Sequence, residues 1–386
     1  MSGPIEHGRP STPSPLRILV ISPWGLGGGY SGPLTLLRRL FSEVARDPGV
    51  EITVLHRDRG DEEGVPWATT HGIRAGSRTS FSRRDQLRWI VAARAYARSR
   101  RASFDVVHLH GAYLASLGVV LGSGFRLAVL PVLERGDLHV SSRLSGRLKH
   151  VLLRAVLSGS RGFALSPGIA MELDGVGLAS SNIVRFPNVV DLEKFGPSPC
   201  TPPSASNRLR IGFVGRLGPV KRPELLLHVV SELCKRGVNA TAIFVGPYRD
   251  AAFSSLFRST MTRLNIEDRV THVDFTDDVA SVMRDEMDVF ALPSRSEGLP
   301  GALVEAMASG LPVVVTDAGS MREHVQESGA GLVVPADAVA FADALQSVAG
   351  DFGARRIHGD SARRYAETTF GSAHAAQVYL SALRLP

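Results

Sequence analysis

The sequence predicts an α/β protein with two doubly wound domains, each a parallel sheet covered by helices on both faces. Along most of the 386 residues, short runs rich in Val, Ile and Leu alternate with longer amphipathic segments. Uninterrupted apolar strands separated by helices are typical of parallel sheets. Residues 197–206 are rich in proline and serine and divide these runs into two sets, as a linker does.

The first half contains five strand candidates. Each is a short apolar run, and the strands are expected at residues 17–22, 51–56, 105–110, 126–133 and 162–166. Apolar residues spaced three and four apart predict helices over residues 34–45 and 144–157.

The same alternation predicts a second sheet, with strands at residues 209–215, 241–246, 270–275, 288–293 and 312–316 and helices over 224–236, 251–264 and 303–309. We therefore expect domains over residues 16–196 and 207–370. A disordered tail over 1–15 and a C-terminal helix over 371–386, packing back on the first domain, are expected to flank them. Two such domains facing each other bind ligand in the cleft, at the carboxyl ends of the strands.

The composition excludes several classes of protein. With 44% hydrophobic and 21% charged residues, the chain is typical of globular proteins and not of disordered or fibrous ones. Its two cysteines lack the spacing of a zinc site and are too few for a disulfide framework, so we expect a reducing, cytoplasmic location. Residues 1–15 lack the apolar core of a secretory signal, and the apolar stretch 113–133 is interrupted by glycines, so no membrane span is expected.

Positive charge is concentrated in the first half of the chain. The net charge is +7, and arginines cluster over residues 83–101 around an apolar run. Arg94, Arg98 and Arg101 would share one face of a helix. Such a face is either simply solvated or a contact for a membrane surface or an anionic acceptor. No nucleic-acid-binding module accompanies the arginines, so we expect no nucleic acid partner.

The most specific local pattern is SRSEGLPGALVEAMASGLPVVVT at residues 294–316. Glu297 and Glu305 lie on either side of a Gly-Leu-Pro-Gly turn that opens a helix. Unpaired amides at a helix N-terminus form a site for a phosphate or diphosphate. Glu297 precedes this turn and can bind sugar hydroxyls. Glu305, one helical turn into the helix, can bind the diol of a ribose.

A second pattern places two cations on a loop between a strand and a helix. In GFVGRLGPVKRPELL, residues 212–226, Arg216 and Lys221 follow the strand, and Pro223 begins a helix. The two cations can neutralise a leaving diphosphate without a metal ion. Lys221 is one of only four lysines beside forty arginines, which indicates a specific requirement for lysine.

A glycine-rich turn follows the first strand. In ISPWGLGGGYSGP, residues 21–33, three consecutive glycines precede a helix start. Such a turn lets the backbone approach a phosphate closely. The spacing is not GxGxxG, so a dinucleotide-binding site is not indicated.

Together the three patterns resemble the retaining GT-B glycosyltransferases with the E-x7-E motif, of glycosyltransferase family 4 or group 1. The resemblance includes DVVHLHG (105–111), FPNVVDLEKF (186–195) and SMREHV (320–325), and covers nearly the whole chain. It implies a GT-B fold with an acceptor-binding first domain and a nucleotide-sugar-binding second domain. It also implies transfer of a sugar to an acceptor with retention of the anomeric configuration and without a metal or other cofactor.

The resemblance implies roles for residues of the second domain. Arg216 and Lys221 would hold the donor diphosphate and act in catalysis with Glu297, which would lie beside the donor sugar. Glu305 would hold the ribose hydroxyls, and the base would lie against the strand ends near Asp274 and Phe275. The turn itself would contact sugar and phosphate through Gly298, Leu299, Pro300 and Gly301.

In the first domain, the resemblance implies that Gly27 and Gly28 face the diphosphate. The family commonly has a histidine at the end of the fourth strand of this domain, where this chain has VLERGDL. The contact to sugar or acceptor would then come from Glu134, Arg135 or Asp137. His108 and His110 are more readily interpreted as buried structural residues than as catalytic ones.

The donor is expected to be a UDP-sugar before a GDP-sugar, from their frequency in the family. The acceptor is expected to be anionic, lipid-linked or a glycan, as in cell-surface glycan, glycolipid or polysaccharide synthesis, with peripheral contact to the inner membrane face through residues 83–101. Three alternatives remain open: a glycosyltransferase of secondary metabolism, a GT-B relative that hydrolyses or epimerises its nucleotide sugar, and a non-catalytic arginine-rich protein that binds anions.

Overall fold

The structure is a computed structural model that describes residues 14–23, 32–58, 64–76, 82–111, 114–131, 144–197 and 208–384. These residues form one parallel sheet of seven strands and a second of six, and a helix is described between most pairs of successive strands. The two doubly wound α/β domains predicted from the sequence are confirmed. The predicted linker 197–206 and tail 1–15 lie almost entirely outside the described residues.

The first sheet has the strand order β3-β2-β1-β4-β5-β6-β7. Its strands are β1 (Leu16–Ser22), β2 (Val50–Asp58), β3 (Thr69–Arg74), β4 (Val106–His110), β5 (Leu127–Leu130), β6 (Arg161–Ala164) and β7 (Ile183–Arg185). The helices described between them are α1 (Gly32–Val44), α2 (Arg83–Ser99), α3 (Leu114–Val120), α4 (Leu144–Leu157) and α5 (Pro167–Gly175).

The second sheet has the order β10-β9-β8-β11-β12-β13. Its strands are β8 (Arg208–Val214), β9 (Asn239–Val245), β10 (Val270–Val273), β11 (Val289–Leu292), β12 (Val313–Val315) and β13 (Gly331–Val333). Its helices are α6 (Pro223–Lys235), α7 (Ala251–Leu264), α8 (Val279–Glu286), α9 (Gly301–Ala308), α10 (Met321–Ser328), α11 (Ala338–Ala349) and α12 (Phe352–Thr369). The direction of strand order reverses between β8 and β11, and ligands bind in the crevice at such a point.

All ten strands predicted from the sequence are present, and three further strands were missed. The missed strands β3, β7 and β13 each lie at the edge of a sheet, and most of their residues are exposed or half-buried. A partly solvated edge strand does not need the continuous apolar run by which the central strands are identified.

The chain passes between the domains twice at one place. The amide of Val190 donates to the carbonyl of Phe370 at 3.0 Å, and Val190 pairs with Gly371 in a parallel bridge. The Arg363 guanidinium of α12 also donates to the carbonyls of Phe195 and Ala308, each at 2.6 Å. The two crossing segments are therefore tied to each other and to the second domain.

The last helix, α13 (Ser372–Arg384), packs on α1 of the first domain. Tyr379 is fully buried, and its hydroxyl lies 2.9 Å from Nδ1 of His108 in β4. At the far end of the helix, Arg384 pairs with Asp47 at 2.8 Å. The C-terminal segment thus completes the core of the first domain.

The arginines over residues 83–101 do not form the single helical face that their spacing predicted, because α2 ends at Ser99 and Arg101 lies in a separate 3-10 turn over Arg101–Ser103. Arg94 donates to the carbonyl of Gly118 at 3.2 Å. Arg101 donates to the carbonyl of Gly124 at 2.6 Å and lies over the ring of Phe125. The spacing of residues along one helix cannot show that Arg94 and Arg101 donate hydrogen bonds to backbone carbonyls in and after α3.

The solvent-facing side of α2 instead combines apolar and basic residues. Leu87 and Val91 are 63% and 68% exposed, and Arg84, Arg88 and Arg98 are exposed beside them. No helix in the described ranges is long and apolar enough to cross a membrane.

Candidate active site

The second-domain residues predicted to bind the donor follow neighbouring strands at their carboxyl ends. Along the sheet order β10-β9-β8-β11, the strands lead to Phe275, Gly246, Arg216 and Glu297. Because all of these strands are parallel, their carboxyl ends meet at one edge of the sheet. The structure therefore brings the sequence-predicted groups to a single edge.

Lys221 and Glu297 are in direct contact. The Lys221 Nζ lies 2.7 Å from Oε1 of Glu297, and the same oxygen accepts a hydrogen bond from the hydroxyl of Ser294 at 2.7 Å. The loops that carry these residues are joined, since the amide of Arg295 donates to the carbonyl of Val220 at 2.8 Å. A cation and a carboxylate are thus held together before any ligand is bound.

Arg216 lies at the end of β8 and is exposed. Among the described residues it has neither an ion-pair partner nor a hydrogen-bond partner for its side chain, so its charge is available to an anion.

Two glycines keep the ends of β8 and β9 close together. Gly215 has φ +142° and Gly246 has φ +134°. A Cβ on Gly246 would lie 2.4 Å from the carbonyl oxygen of Gly215, and a Cβ on Gly215 would lie 3.0 Å from Cδ of Lys221. Side chains are excluded at both positions, which leaves backbone next to Arg216 and Lys221.

The turn before α9 is held from both domains. Asn188, two residues before Val190 where the chain first passes between the domains, donates through Nδ2 to the carbonyl of Leu299 at 2.8 Å. The amide of Ser320 donates to the carbonyl of Gly298 at 3.0 Å. Within the described ranges, no side chain caps the N-terminus of α9, which begins at Gly301. Its first amides and the positive end of its dipole are therefore available to a phosphate.

Glu305 has a partner that sequence reasoning missed. Nη2 of Arg39, in α1 of the first domain, lies 2.8 Å from Oε1 of Glu305, and both side chains are largely buried. Burial raises the pKa of Glu305, and the charge of Arg39 opposes that rise. Among the described residues no hydrogen bond reaches Oε2 of Glu305, so this oxygen is open to a ligand hydroxyl.

The strands β9 and β10 end among aromatic side chains. Phe275 is 56% exposed, and the rings of Tyr248 and His272 lie 4.4 Å apart. Nε2 of His272 lies 2.9 Å from the carbonyl oxygen of Gly246. This end of the site offers flat apolar surface of the kind on which a nucleobase packs.

The first-domain candidates Gly27, Gly28, Glu134, Arg135 and Asp137 lie outside the described residues. His108 is fully buried, and burial holds its pKa well below the ordinary value. Its bond to Tyr379 and its neutral form give it a structural role, as the sequence indicated.

Two family models match this chain, one on each domain. Residues 31–194 match the model described as Glycosyltransferase Family 4. Residues 208–351 match the model described as Glycosyl transferases group 1. The second match contains Arg216, Lys221, Glu297 and Glu305.

Curated relatives include D-inositol 3-phosphate glycosyltransferases. The protein of that name from Corynebacterium efficiens is 31% identical over 174 residues, which cover 44% of this chain and 41% of the relative. The chain thus spans about two fifths of the length of that relative. The protein of that name from Kineococcus radiotolerans is 27% identical, and the alignment covers 93% of this chain and 91% of the relative.

Among solved structures, the Anabaena protein HepE in complex with UDP and glucose is similar over almost the whole chain. The TM-score is 0.75, the identity is 18%, and the alignment covers 95% of this chain and 99% of HepE. At this identity the likeness establishes a shared fold.

Proposed function

We propose that this chain, which has the GT-B fold, is a glycosyltransferase that transfers a sugar from a UDP-sugar to an anionic acceptor with retention of the anomeric configuration. The observation that carries the proposal is the contact of Lys221 with Glu297 at 2.7 Å. In the part of the chain that the structure describes, Arg216 beside it has no partner and the start of α9 has no side-chain cap. This arrangement provides positive charge for a diphosphate and a carboxylate for sugar hydroxyls at the same point of the sheet edge.

The proposed chemistry follows from the charges that develop during the reaction. As the glycosidic bond breaks, positive charge forms at the anomeric carbon and negative charge on the departing phosphate. Arg216, Lys221 and the first amides of α9 would stabilise the departing UDP, and groups of this kind each contribute ~10²–10³ in rate.

We propose that the acceptor attacks from the face that UDP leaves. The alternative, a double displacement, requires a carboxylate nucleophile. Oxygen Oε1 of Glu297 already accepts two hydrogen bonds of 2.7 Å, from Lys221 and Ser294, which lower its nucleophilicity. Glu297 is therefore better suited to binding sugar hydroxyls than to forming a covalent intermediate.

The choice of substrates is supported by the relatives. The similar HepE structure contains UDP and glucose, and the curated relatives are named for an inositol 3-phosphate acceptor. The excess of basic residues in the first domain suits an anionic acceptor, soluble or lipid-linked. The exposed Leu87, Val91 and flanking arginines of α2 would provide peripheral contact with an anionic membrane.

The proposal is tested by incubating the protein with UDP-glucose, UDP-galactose, UDP-N-acetylglucosamine or GDP-mannose, with and without phosphorylated acceptors, and measuring nucleotide release. We expect acceptor-dependent release of UDP from one donor and an α-linked product by proton NMR. An inverted product would contradict retention. Equal release without acceptor would instead identify a nucleotide-sugar hydrolase, and no release from any donor in the presence of UDP binding would favour a non-catalytic binding protein.

A further inference from the structure

The same sheet edge continues beyond Glu297 towards the ends of β12 and β13. At the ends of β11, β12 and β13 there is a cavity of about 610 Å³, a volume that suits a small-molecule ligand. Its charged lining consists of Arg222, Arg295, Arg322 and Asp317. None of the four side chains assigned to the donor, Arg216, Lys221, Glu297 or Glu305, lines it.

The cavity carries uncompensated positive charge. Asp317 pairs with Arg322 at 2.8 Å. Among the described residues, the side chain of Arg295 has no ion-pair or hydrogen-bond partner. The guanidinium of Arg222 donates through Nε to the carbonyl of Pro293 at 2.9 Å, which leaves its terminal nitrogens without a partner in the described part of the chain.

Arg222 and Arg295 are also close enough to repel each other. Burial, and then the charge of Arg295, lower the pKa of Arg222, and nearby Glu224 offsets only part of this effect. Two like charges on one partly enclosed surface are unfavourable unless an anion joins them. Bound anions between paired guanidinium groups are a common solution, because each group presents a fork of donors to the anion's oxygens.

The backbone conformation of Arg222 also indicates a ligand site. Arg222 has φ 49° and ψ 48°, in the left-handed region that non-glycine residues rarely adopt. Strained residues of this kind are concentrated at ligand sites, where the surrounding structure maintains them. Here the strain places a guanidinium at the cavity, where a glycine would satisfy the same backbone without cost.

We propose that this cavity binds a phosphomonoester carried by a small molecule. The three arginines and one aspartate of the lining give a net charge of +2, which matches the ~−1.5 to −2 of a phosphomonoester at neutral pH better than the single charge of a carboxylate. The remaining lining includes the apolar residues 333–336, against which a carbon ring packs. The phosphate belongs either to the acceptor or to a free effector.

The test uses UDP-saturated protein, so that the proposed donor site is already occupied. Glucose 6-phosphate, inorganic phosphate and unphosphorylated glucose are titrated by calorimetry into the wild type, Arg295→Ala and Arg356→Ala. Arg295 is exposed and has no side-chain partner among the residues that the structure describes, so we expect its replacement to leave the fold intact. Arg356 is 66% exposed on α12, away from the cavity, and is the matched control.

We expect the wild type and Arg356→Ala to bind glucose 6-phosphate and inorganic phosphate but not glucose, and Arg295→Ala to bind both phosphates at least tenfold more weakly. Absence of phosphate binding by the wild type, or equal binding by Arg295→Ala, overturns the proposal. In a separate incubation, glucose 6-phosphate is mixed with the protein and the UDP-sugar donor in place of UDP. Recovery of a glycosylated sugar phosphate identifies the acceptor as the source of the phosphate, whereas unchanged sugar phosphate identifies an effector. If neither the wild type nor the variants bind UDP, but phosphate binding still depends on Arg295, the proposed UDP-sugar donor is wrong and the proposed phosphate site in the cavity stands.

Discussion

Arg39 of α1 and Glu305 of α9 form an ion pair between the two domains, with Nη2 and Oε1 2.8 Å apart. Arg39 also donates to the carbonyl of Val189 at 3.1 Å, on the segment where the chain crosses between domains. The carboxylate that we propose for ribose binding is buried, and burial raises its pKa. It therefore relies on a cation from the opposite domain to remain ionised.

Replacement of Arg39 by alanine is expected to weaken donor binding as the pH falls. Without the guanidinium, the pKa of Glu305 rises further, so the carboxylate is protonated at a higher pH and loses its acceptor capacity. The KM for the UDP-sugar, measured across pH, should begin to rise at a higher pH in Arg39→Ala than in the wild type. Arg39→Lys should restore most of the difference, and the exposed neighbour Arg38→Ala should not change the profile. Superimposable profiles for Arg39→Ala and the wild type would show that the pair has no electrostatic role.

Glu305→Gln is expected to remove discrimination between UDP and 2′-deoxy-UDP. We propose that Glu305 accepts hydrogen bonds from the ribose diol in the wild type, and a hydrogen bond to a charged group contributes about 1.5–3 kcal/mol, or roughly 10–100-fold in affinity. The ratio of the two dissociation constants, measured by calorimetry, should fall towards one in the variant. A ratio unchanged from wild type would place the ribose elsewhere.

Lys221→Ala is expected to lower the rate of sugar transfer by ~10²–10³, because it removes a cation from the departing diphosphate. Lys235→Ala is the matched control, since Lys235 is exposed at the other end of α6. Circular dichroism should show the same fold in both variants. Transfer at the wild-type rate by Lys221→Ala would remove the lysine from the mechanism.

Gly246→Ala is expected to destabilise the protein by more than 1 kcal/mol. Its φ of +134° is unfavourable for alanine, and the added Cβ would lie 2.4 Å from the carbonyl oxygen of Gly215. Gly175→Ala is the control, because a Cβ there has no atom within 4 Å. Thermal unfolding should show a lower Tm only for Gly246→Ala, and equal Tm values would mean that the strand ends can separate without cost.

The second-domain half of the site was accessible from the sequence because its residues are local to strand ends. Glu297 follows β11 and Arg216 follows β8, and parallel strands bring such residues to one edge wherever the fold is doubly wound. The order of the strands then fixes which groups are neighbours. The local sequence patterns and the fold class together were sufficient to predict that these second-domain residues lie at one edge of the sheet.

Arg39 and the cavity arginines were not accessible in this way. Arg39 is separated from Glu305 by 266 positions in the sequence. It lies on α1, where the spacing of apolar residues predicts only which face of the helix is buried. Arg222 follows Lys221 directly in the sequence and was not predicted to bind a ligand. The sequence does not show that these two adjacent side chains have different surroundings. Contacts between elements distant in sequence depend on packing, which periodicity does not encode.

We propose that Arg216, Lys221 and the start of α9 form a site for a diphosphate. Calorimetric titration of UDP and of UMP into the wild type and Lys221→Ala tests it most directly, since the two nucleotides differ only in the β-phosphate. We predict that the wild type binds UDP at least tenfold more tightly than UMP and that Lys221→Ala loses most of this difference. Equal binding of UDP and UMP by the wild type would show that these residues form no site for the β-phosphate.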